Sequence, residues 1–86
     1  MPYIYCLIST GLRRNISYVG WTVDLNKRLK LHNSNKGAKF TRGKFWELIY
    51  FEKCKSKKDA MRKEYILKKN YNLRKKLKRN FIKSKK

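Results

Sequence analysis

Acidic residues are scarce in this chain of 86 residues, which holds 5 Asp and Glu against 25 Lys and Arg. The formal net charge of +20 opposes compaction through self-repulsion, so a polyanionic partner is expected. Residues 1–52 hold 9 basic and 3 acidic groups, whereas residues 53–86 hold 16 and 2. Apolar residues continue through this basic part as far as Phe81 and Ile82, so it is not simply a detachable tail.

Cysteines and long apolar runs are also few. Cys6 and Cys54 lie far apart, with no CxxC pair and no histidine at metal-ligand spacing, which argues against a zinc site or a disulfide framework and indicates buried thiols in a reducing compartment. No apolar run approaches the roughly 20 residues that a membrane span needs. We therefore expect no membrane partner and an intracellular location, in the cytoplasm or nucleoid, or in the nucleus for a eukaryotic or viral host.

Three apolar segments predict three β-strands. Residues 3–8 are β-branched and aromatic on both faces, which is typical of a central strand. Residues 16–21 predict the returning strand of a hairpin, and residues 45–52 a third strand. If the hairpin loop holds an even number of residues, Tyr5 and Tyr18 share one sheet face. A two-residue Gly11-Leu12 turn would place them directly opposite each other.

Helical patterns fill the rest of the chain. The first helix is predicted from an N-cap at Thr22, with Asp24 in its first turn, to about Asn33. A polar connection with one helical turn follows, and a capping box at residues 56–59 begins a second helix that ends near residue 70. Residues 72–82 predict a third helix. The expected organisation is one domain over residues 1–82 and a frayed basic tail over residues 83–86.

Three polar side chains lie where the helical pattern expects apolar ones. His32 falls on the apolar face of the first helix, and Arg28 flanks it one turn earlier, so both should look towards the sheet. Glu64 falls among the apolar residues of the second helix, where a carboxylate must be paired or bind a metal. Spacing leaves open whether Glu64 pairs with a lysine or holds a hard cation. Each group also has a purely structural interpretation, and only their co-occurrence favours a site.

These residues fall in the order found in a known family, and the chain resembles the GIY-YIG nuclease superfamily, especially its small stand-alone branch with a URI-type domain. The resemblance covers residues 2 to about 70. It is carried by short matches in sequence order, which are Tyr3-Ile4-Tyr5, Tyr18-Val19-Gly20, Trp21-Thr22, Asp24-Leu25, Arg28-Leu29, His32-Asn33, Lys36-Gly37-Ala38, Thr41-Arg42, Leu48 to Glu52 and Ala60 to Glu64. Tyr3 stands where the first signature usually has glycine.

The resemblance implies an α+β fold with a small three-stranded antiparallel sheet flanked by helices. It also implies hydrolysis of phosphodiester bonds in DNA, with RNA left open, assisted by one Mg²⁺ or Mn²⁺ ion. Carried over by position, the catalytic residues are Tyr5, Tyr18, Arg28, His32 and Glu64, with Glu64 as the metal ligand. The family's further polar group has no assigned position, although Asn70 and Asn80 are candidates. Targeting could depend on a protein partner.

A mechanism can be outlined on these residues. Neighbouring cations would lower the pKa of Tyr5 so that it could take a proton from water and pass it to His32. Arg28 would clamp the scissile phosphate, and Tyr18 would position it. A basic surface would follow the nucleic-acid backbone without reading sequence, through Lys36, Lys39, Arg42 and Lys44. The alternative is a basic binding module that keeps the fold without turnover.

Overall fold

The three apolar segments form the sheet. A computed structural model describes residues 1–10 and 15–84. In it the strands β1 (Tyr3–Ser9), β2 (Ile16–Thr22) and β3 (Glu47–Lys53) pair antiparallel in the order β2-β1-β3. The strand predicted to be central is central, and its side chains after Tyr3 are buried because layers cover both of its faces. The α+β class and the antiparallel sheet are confirmed.

The β1–β2 register sets the positions of the two signature tyrosines. Tyr5 lies opposite Gly20, and Leu7 lies opposite Tyr18. Tyr5 and Tyr18 therefore share one sheet face as diagonal neighbours. The shared face is confirmed, whereas the prediction that the tyrosines lie directly opposite each other is wrong. The Gly11-Leu12 turn on which that prediction rested lies outside the described residues.

Three α-helices and one short 3₁₀ turn complete the described chain. They are α1 (Leu25–Asn33), the 3₁₀ turn (Lys39–Thr41), α2 (Lys57–Lys69) and α3 (Tyr71–Ser84). The single turn expected in the polar connection is confirmed, and α3 extends beyond its predicted end. None of the helices in the described parts of the chain is long and apolar enough to cross a bilayer.

Side chains at the helix ends explain where the helices begin. The Asp24 carboxylate accepts from the Lys27 N–H at 3.1 Å and caps α1. Thr22 was predicted to be this cap, and the prediction is wrong because β2 continues through Thr22, whose hydroxyl accepts from the Asp24 N–H at 3.2 Å. The predicted cap of α2 is confirmed, since Ser56 Oγ accepts from the Asp59 N–H at 3.1 Å.

Two apolar clusters lie on opposite faces of the sheet, as the alternation of side chains along β1 requires. The α2-side cluster joins the sheet to α2 through the buried residues Ile4, Cys6, Val19, Cys54, Ala60 and Leu67. The α1-side cluster is built around Tyr5, Leu7 and Trp46, with Leu25 and Leu29 of α1 packed against them. The polar residues singled out on β1, β2 and α1 lie at the second cluster.

Candidate active site

A chain of buried hydrogen bonds runs from β1 through α1 to the 3₁₀ turn. The Tyr5 hydroxyl and His32 Nε2 lie 2.9 Å apart, and His32 Nδ1 lies 2.8 Å from Thr41 Oγ1. The Thr41 hydroxyl donates its own proton to the Ala38 carbonyl at 2.8 Å. Thr41 must therefore accept from His32, which places the imidazole proton on Nδ1. In a neutral ring Nε2 is then an acceptor, so the Tyr5 hydroxyl donates to it.

Burial fixes the protonation states in this chain. Tyr5 is 2% exposed, and His32 and Thr41 are fully buried. Burial lowers the pKa of His32, and the Arg28 guanidinium lowers it further, so the ring is neutral near pH 7. Burial raises the pKa of Tyr5 to about 12, although Arg28 acts in the opposite direction. Arg28 thus acts on the pKa of Tyr5 in the expected direction, but desolvation of the phenol outweighs it.

Two glycines allow this close arrangement. A Cβ on Gly20 would lie 2.6 Å from the Tyr5 hydroxyl oxygen and 2.8 Å from Cζ, so β2 can pass beside the phenol only without a side chain. A Cβ on Gly37 would overlap His32 Nδ1 and lie 3.0 Å from the His32 Cα. The phenol of Tyr5 thus occupies the space that a side chain at position 20 would need.

Arg28 lies beside the tyrosines and reaches solvent. It is partly buried on α1. Its hydrogen bond to Tyr5 raises the pKa of Arg28, and the negative charge that Tyr5 would carry when ionised acts in the same direction. Its Nε is buried and has no hydrogen-bond partner among the described residues. Arg28 also lines an open cavity of about 260 Å³ with Trp21, Thr22, Val23 and Lys57. An anion entering this cavity would therefore meet the Arg28 guanidinium.

Tyr18 links the imidazole to a group of aromatic rings. Its ring centroid lies 5.1 Å from that of His32 and 6.4 Å from that of Tyr5. The Phe40 ring stacks on Tyr18 at 6.2 Å with an interplanar angle of 21°, and Trp46 meets Tyr18 edge-on at 6.3 Å. The structure thus brings Tyr5, Tyr18, Arg28 and His32 together at one end of the α1-side cluster.

Glu64 projects from α2 and is half-buried, with 22% of its side chain exposed. Its carboxylate lies 3.3 Å from Lys68 Nζ, one turn further along the helix. It is also close enough to Tyr5 for its charge to raise the pKa of that phenol. On the same helix Ala60 and Leu67 are buried, whereas Met61 is 56% exposed. Both interpretations of the carboxylate, as an ion-pair partner and as a cation ligand, agree with this placement.

The donor set at Glu64 fits one kind of metal. No group of three or more His, Cys, Asp and Glu side chains suited to a metal occurs in the described parts of the chain. A lone, partly exposed carboxylate matches Mg²⁺ or Mn²⁺, because Mg²⁺ keeps several waters and is bound through one or two carboxylates plus substrate phosphates. The exposed i,i+4 ion pair with Lys68 is weak and would not prevent binding.

The predicted nucleic-acid-binding residues lie on the segment that covers the site. Lys36, Lys39 and Arg42 are exposed. Lys44 is partly buried and donates from Nζ to the Phe40 carbonyl at 3.1 Å. The same segment supplies Thr41 to His32 and Phe40 to Tyr18, so these cations belong to a segment that contacts the candidate site.

Four neighbours of the site received no role from the sequence, namely Gly37, Phe40, Thr41 and Trp46. Trp46 is fully buried, and its Nε1 donates to the Thr41 carbonyl at 2.9 Å. The segment that holds them shows no helical or strand periodicity, so the sequence pointed only to Gly37 and Thr41, through their matches to the family. Of the candidates for a further polar group, Asn70 caps α3 by accepting from the Leu73 N–H at 3.1 Å.

Comparison of the sequence with known proteins identifies its family. Residues 1–78 match the family described as the GIY-YIG catalytic domain. A UPF0213 protein of Clostridium perfringens is 43% identical over 70 residues, covering 80% of this chain and 72% of its own. A UPF0213 protein of Streptococcus pneumoniae is 43% identical over 67 residues, 77% of this chain. The UPF0213 protein YazA of Bacillus subtilis is 48% identical over 56 residues, 64% of this chain.

The matched regions cover 65% of the Streptococcus protein and 57% of the Bacillus protein, which is less than two thirds of either length. No solved structure matches the chain. The family match spans most of the sequence, including both signature tyrosines, the helix with Arg28 and His32, and Glu64. The chain therefore belongs to the GIY-YIG family.

Proposed function

We propose that the protein is a metal-dependent endonuclease that hydrolyses phosphodiester bonds in DNA and chooses its target by backbone structure rather than by sequence. The observation that carries the proposal is the hydrogen-bonded chain from Tyr5 through His32 to Thr41, beside an Arg28 with an unused buried donor. Arg28 lies one turn before His32 and lines an open cavity that also has Lys57 in its wall.

The hydrogen-bonded chain can move one proton away from an attacking water. The water proton passes to the Tyr5 oxygen while the Tyr5 proton passes to His32 Nε2, which leaves an imidazolium held at Nδ1 by Thr41. Tyr5 never needs to exist as a free phenolate, so its raised pKa is no obstacle to this role. The lowered pKa of His32 keeps the ring in its accepting form near pH 7.

Arg28, and a cation that Glu64 would hold, would offset the negative charge on the phosphate. Arg28 contacts the non-bridging oxygens and neutralises charge that develops during attack. Glu64 would hold one Mg²⁺ or Mn²⁺ ion, which when bound supplies Lewis-acid stabilisation of the leaving oxygen. Tyr18 positions the phosphate or the water through its hydroxyl.

The surrounding surface fits a backbone-directed enzyme. Exposed cations at Lys36, Lys39 and Arg42 contact phosphates and carry no sequence information. The same proposal holds that residues 1–82 act as a single domain and that the protein works in DNA repair or recombination. It also places the protein with DNA, in the cytoplasm or nucleoid. Targeting by a protein partner is compatible with it.

The proposal is tested with labelled duplex, single-stranded, flap and four-way-junction DNA and with a matched RNA strand. Each is incubated with Mg²⁺, Mn²⁺ or EDTA. Wild-type protein should cut in the presence of the metal only, and Arg28→Ala should lower the rate by at least about a hundredfold. Glu64→Ala should abolish cleavage while binding persists.

Lys68→Ala is the matched control for Glu64→Ala. It removes the same ion pair and keeps the carboxylate, so cleavage should persist if Glu64 holds a metal. If Lys68→Ala is as inactive as Glu64→Ala, the ion-pair interpretation of Glu64 is correct. If every substrate is bound and none is cut, the protein is a basic binding module on this fold, and the catalytic proposal fails.

A further inference from the structure

Phe40 exposes an aromatic ring next to the candidate active site. It is 53% exposed even though its ring stacks on Tyr18 at 6.2 Å. We propose that Phe40 is a stacking platform for an unpaired nucleobase beside the scissile phosphate, so that the protein prefers DNA whose bases are unstacked there. This inference rests on the proposed function, since it names the substrate class of the same site.

The platform is rigid. Phe40 lies in the 3₁₀ turn, whose next residue, Thr41, is fully buried and bonded to His32. Behind Phe40 lie Tyr18, nearly parallel to it, and Trp46 at 6.3 Å. A ring held by its own backbone and by two further rings loses little conformational freedom when a base stacks on it.

The position of the platform connects base stacking with cleavage. Phe40 stacks on Tyr18, and the Tyr18 ring lies 5.1 Å from the imidazole of His32. A base on Phe40 would thus belong to a nucleotide whose phosphate lies near the proton relay. Lys44 Nζ lies 5.2 Å from the centre of the Phe40 ring, and Lys39 precedes it in the chain. Cations at an aromatic ring suit a nucleotide, which offers a π face and a phosphate together.

Phe40 should bind an unpaired base better than a paired one, because the ring can reach the face of an unpaired base. Within a duplex both faces of a base are covered by its neighbours, so an aromatic side chain can stack only on a base that has left the stack. A single strand, a flap or a frayed junction supplies such a base at little cost. The basic residues of α3 offer phosphate contacts to any nucleic acid and cannot make this distinction.

The test is a binding measurement in EDTA, which does not depend on cleavage. Fluorescence anisotropy compares a single-stranded oligothymidylate with a blunt duplex of equal length, using wild type, Phe40→Leu and Phe40→Trp. Leucine keeps the apolar support of Tyr18 and removes the π face. We expect Phe40→Leu to weaken single-strand binding at least about fivefold and duplex binding by less than about twofold, and Phe40→Trp to retain single-strand binding.

Tyr65→Ala is the matched control. Tyr65 is 63% exposed and has Lys69 Nζ at 5.3 Å from its ring, so it reproduces the aromatic–lysine pair on another element. Its loss should leave the preference for single strands unchanged. The inference is overturned if Phe40→Leu weakens both ligands equally or neither, or if Tyr65→Ala has the same selective effect. If circular dichroism shows that Phe40→Leu does not fold, Phe40→Trp is compared with wild type. The larger ring should bind single strands at least as tightly, and weaker binding would overturn the inference.

Cleavage measured separately with Mg²⁺ distinguishes the two proposals. Single-strand binding that depends on Phe40 without any cleavage would refute the nuclease and leave the platform standing. Cleavage with equal preference in wild type and Phe40→Leu would refute the platform and leave the nuclease standing.

Discussion

Thr41→Val is the substitution that examines the proton relay most directly. Thr41 Oγ1 accepts from His32 Nδ1 at 2.8 Å and donates to the Ala38 carbonyl at 2.8 Å. Valine has nearly the same shape and can do neither. The imidazole then has no acceptor at Nδ1, and its proton is better placed on Nε2, where Tyr5 can accept it. In that tautomer His32 cannot take the proton of Tyr5.

The expected losses of stability and rate in Thr41→Val follow from the buried groups that lose their hydrogen-bond partners. Thr41 and His32 are fully buried, and leaving a buried polar group without a partner costs about 1–3 kcal/mol. For a domain of this size, each kcal/mol lowers the melting temperature by about 4–8 °C. Cleavage requires the disfavoured Nδ1–H tautomer, and each 1.36 kcal/mol or so is a factor of ten in rate. We expect a loss of about 10- to 100-fold in rate.

Two measurements separate this effect from general destabilisation. The chain has 1 histidine, so ¹⁵N NMR of the imidazole reports on His32 alone. The wild-type spectrum should show the proton on Nδ1, and Thr41→Val should move it to Nε2. Thr10→Val, which changes an exposed threonine, is the control and should alter neither spectrum nor rate. A wild-type ring protonated on Nε2, or full activity in Thr41→Val, would refute the relay.

Three further predictions concern pH, packing and capping. His32 has a lowered pKa, so its contribution to stability is present above the ordinary value of about 6.5 and is lost as pH falls through the folded pKa. Thermal melts from pH 7.5 to 5 should therefore show a melting temperature that falls with pH, and His32→Gln should reduce this dependence. An equal dependence in both proteins would contradict the prediction. Gly20→Ala would place a methyl 2.6 Å from the Tyr5 hydroxyl oxygen. We expect the free energy of unfolding, measured in urea, to fall by about 1–3 kcal/mol and cleavage to be reduced. Wild-type values for both would show that β2 can shift to accommodate the methyl. Ser56→Ala removes the cap of α2 and should cost about 0.5–2 kcal/mol without changing the rate of folded protein; unchanged stability would show that the cap contributes nothing.

Much of the fold could be predicted because its signals are local. Runs of β-branched and aromatic residues predicted the three strands, and helical periodicity placed Arg28 and His32 on the face of α1 that meets the sheet. The start of α1 could not be decided in this way, since Thr22 and Asp24 are both good caps. The choice between them depends on how far β2 continues in pairing with β1, which is a long-range property.

The chemistry of the site was harder to predict because it depends on packing. The pKa of Tyr5 reflects a competition between burial and the Arg28 charge, and the sequence shows the charge but not the depth of burial. Thr41 lies nine residues beyond His32 in a segment without periodicity, and only the folded chain brings their side chains together. Glu64 could be recognised as misplaced on its helix, but the sequence did not select Lys68 from the many available lysines.

The α2-side cluster gives the protein a built-in reporter of its own opening. Cys6 and Cys54 are free thiols, 0% and 1% exposed, in the cluster on the sheet face opposite Tyr5. Burial raises the pKa of Cys6 to about 11, which keeps its thiol unreactive while the chain is folded. The rate of thiol labelling therefore measures exposure of this half of the core. Variants at the tyrosines or at His32 can be ranked for folding in this way, in the same sample in which their activity is measured.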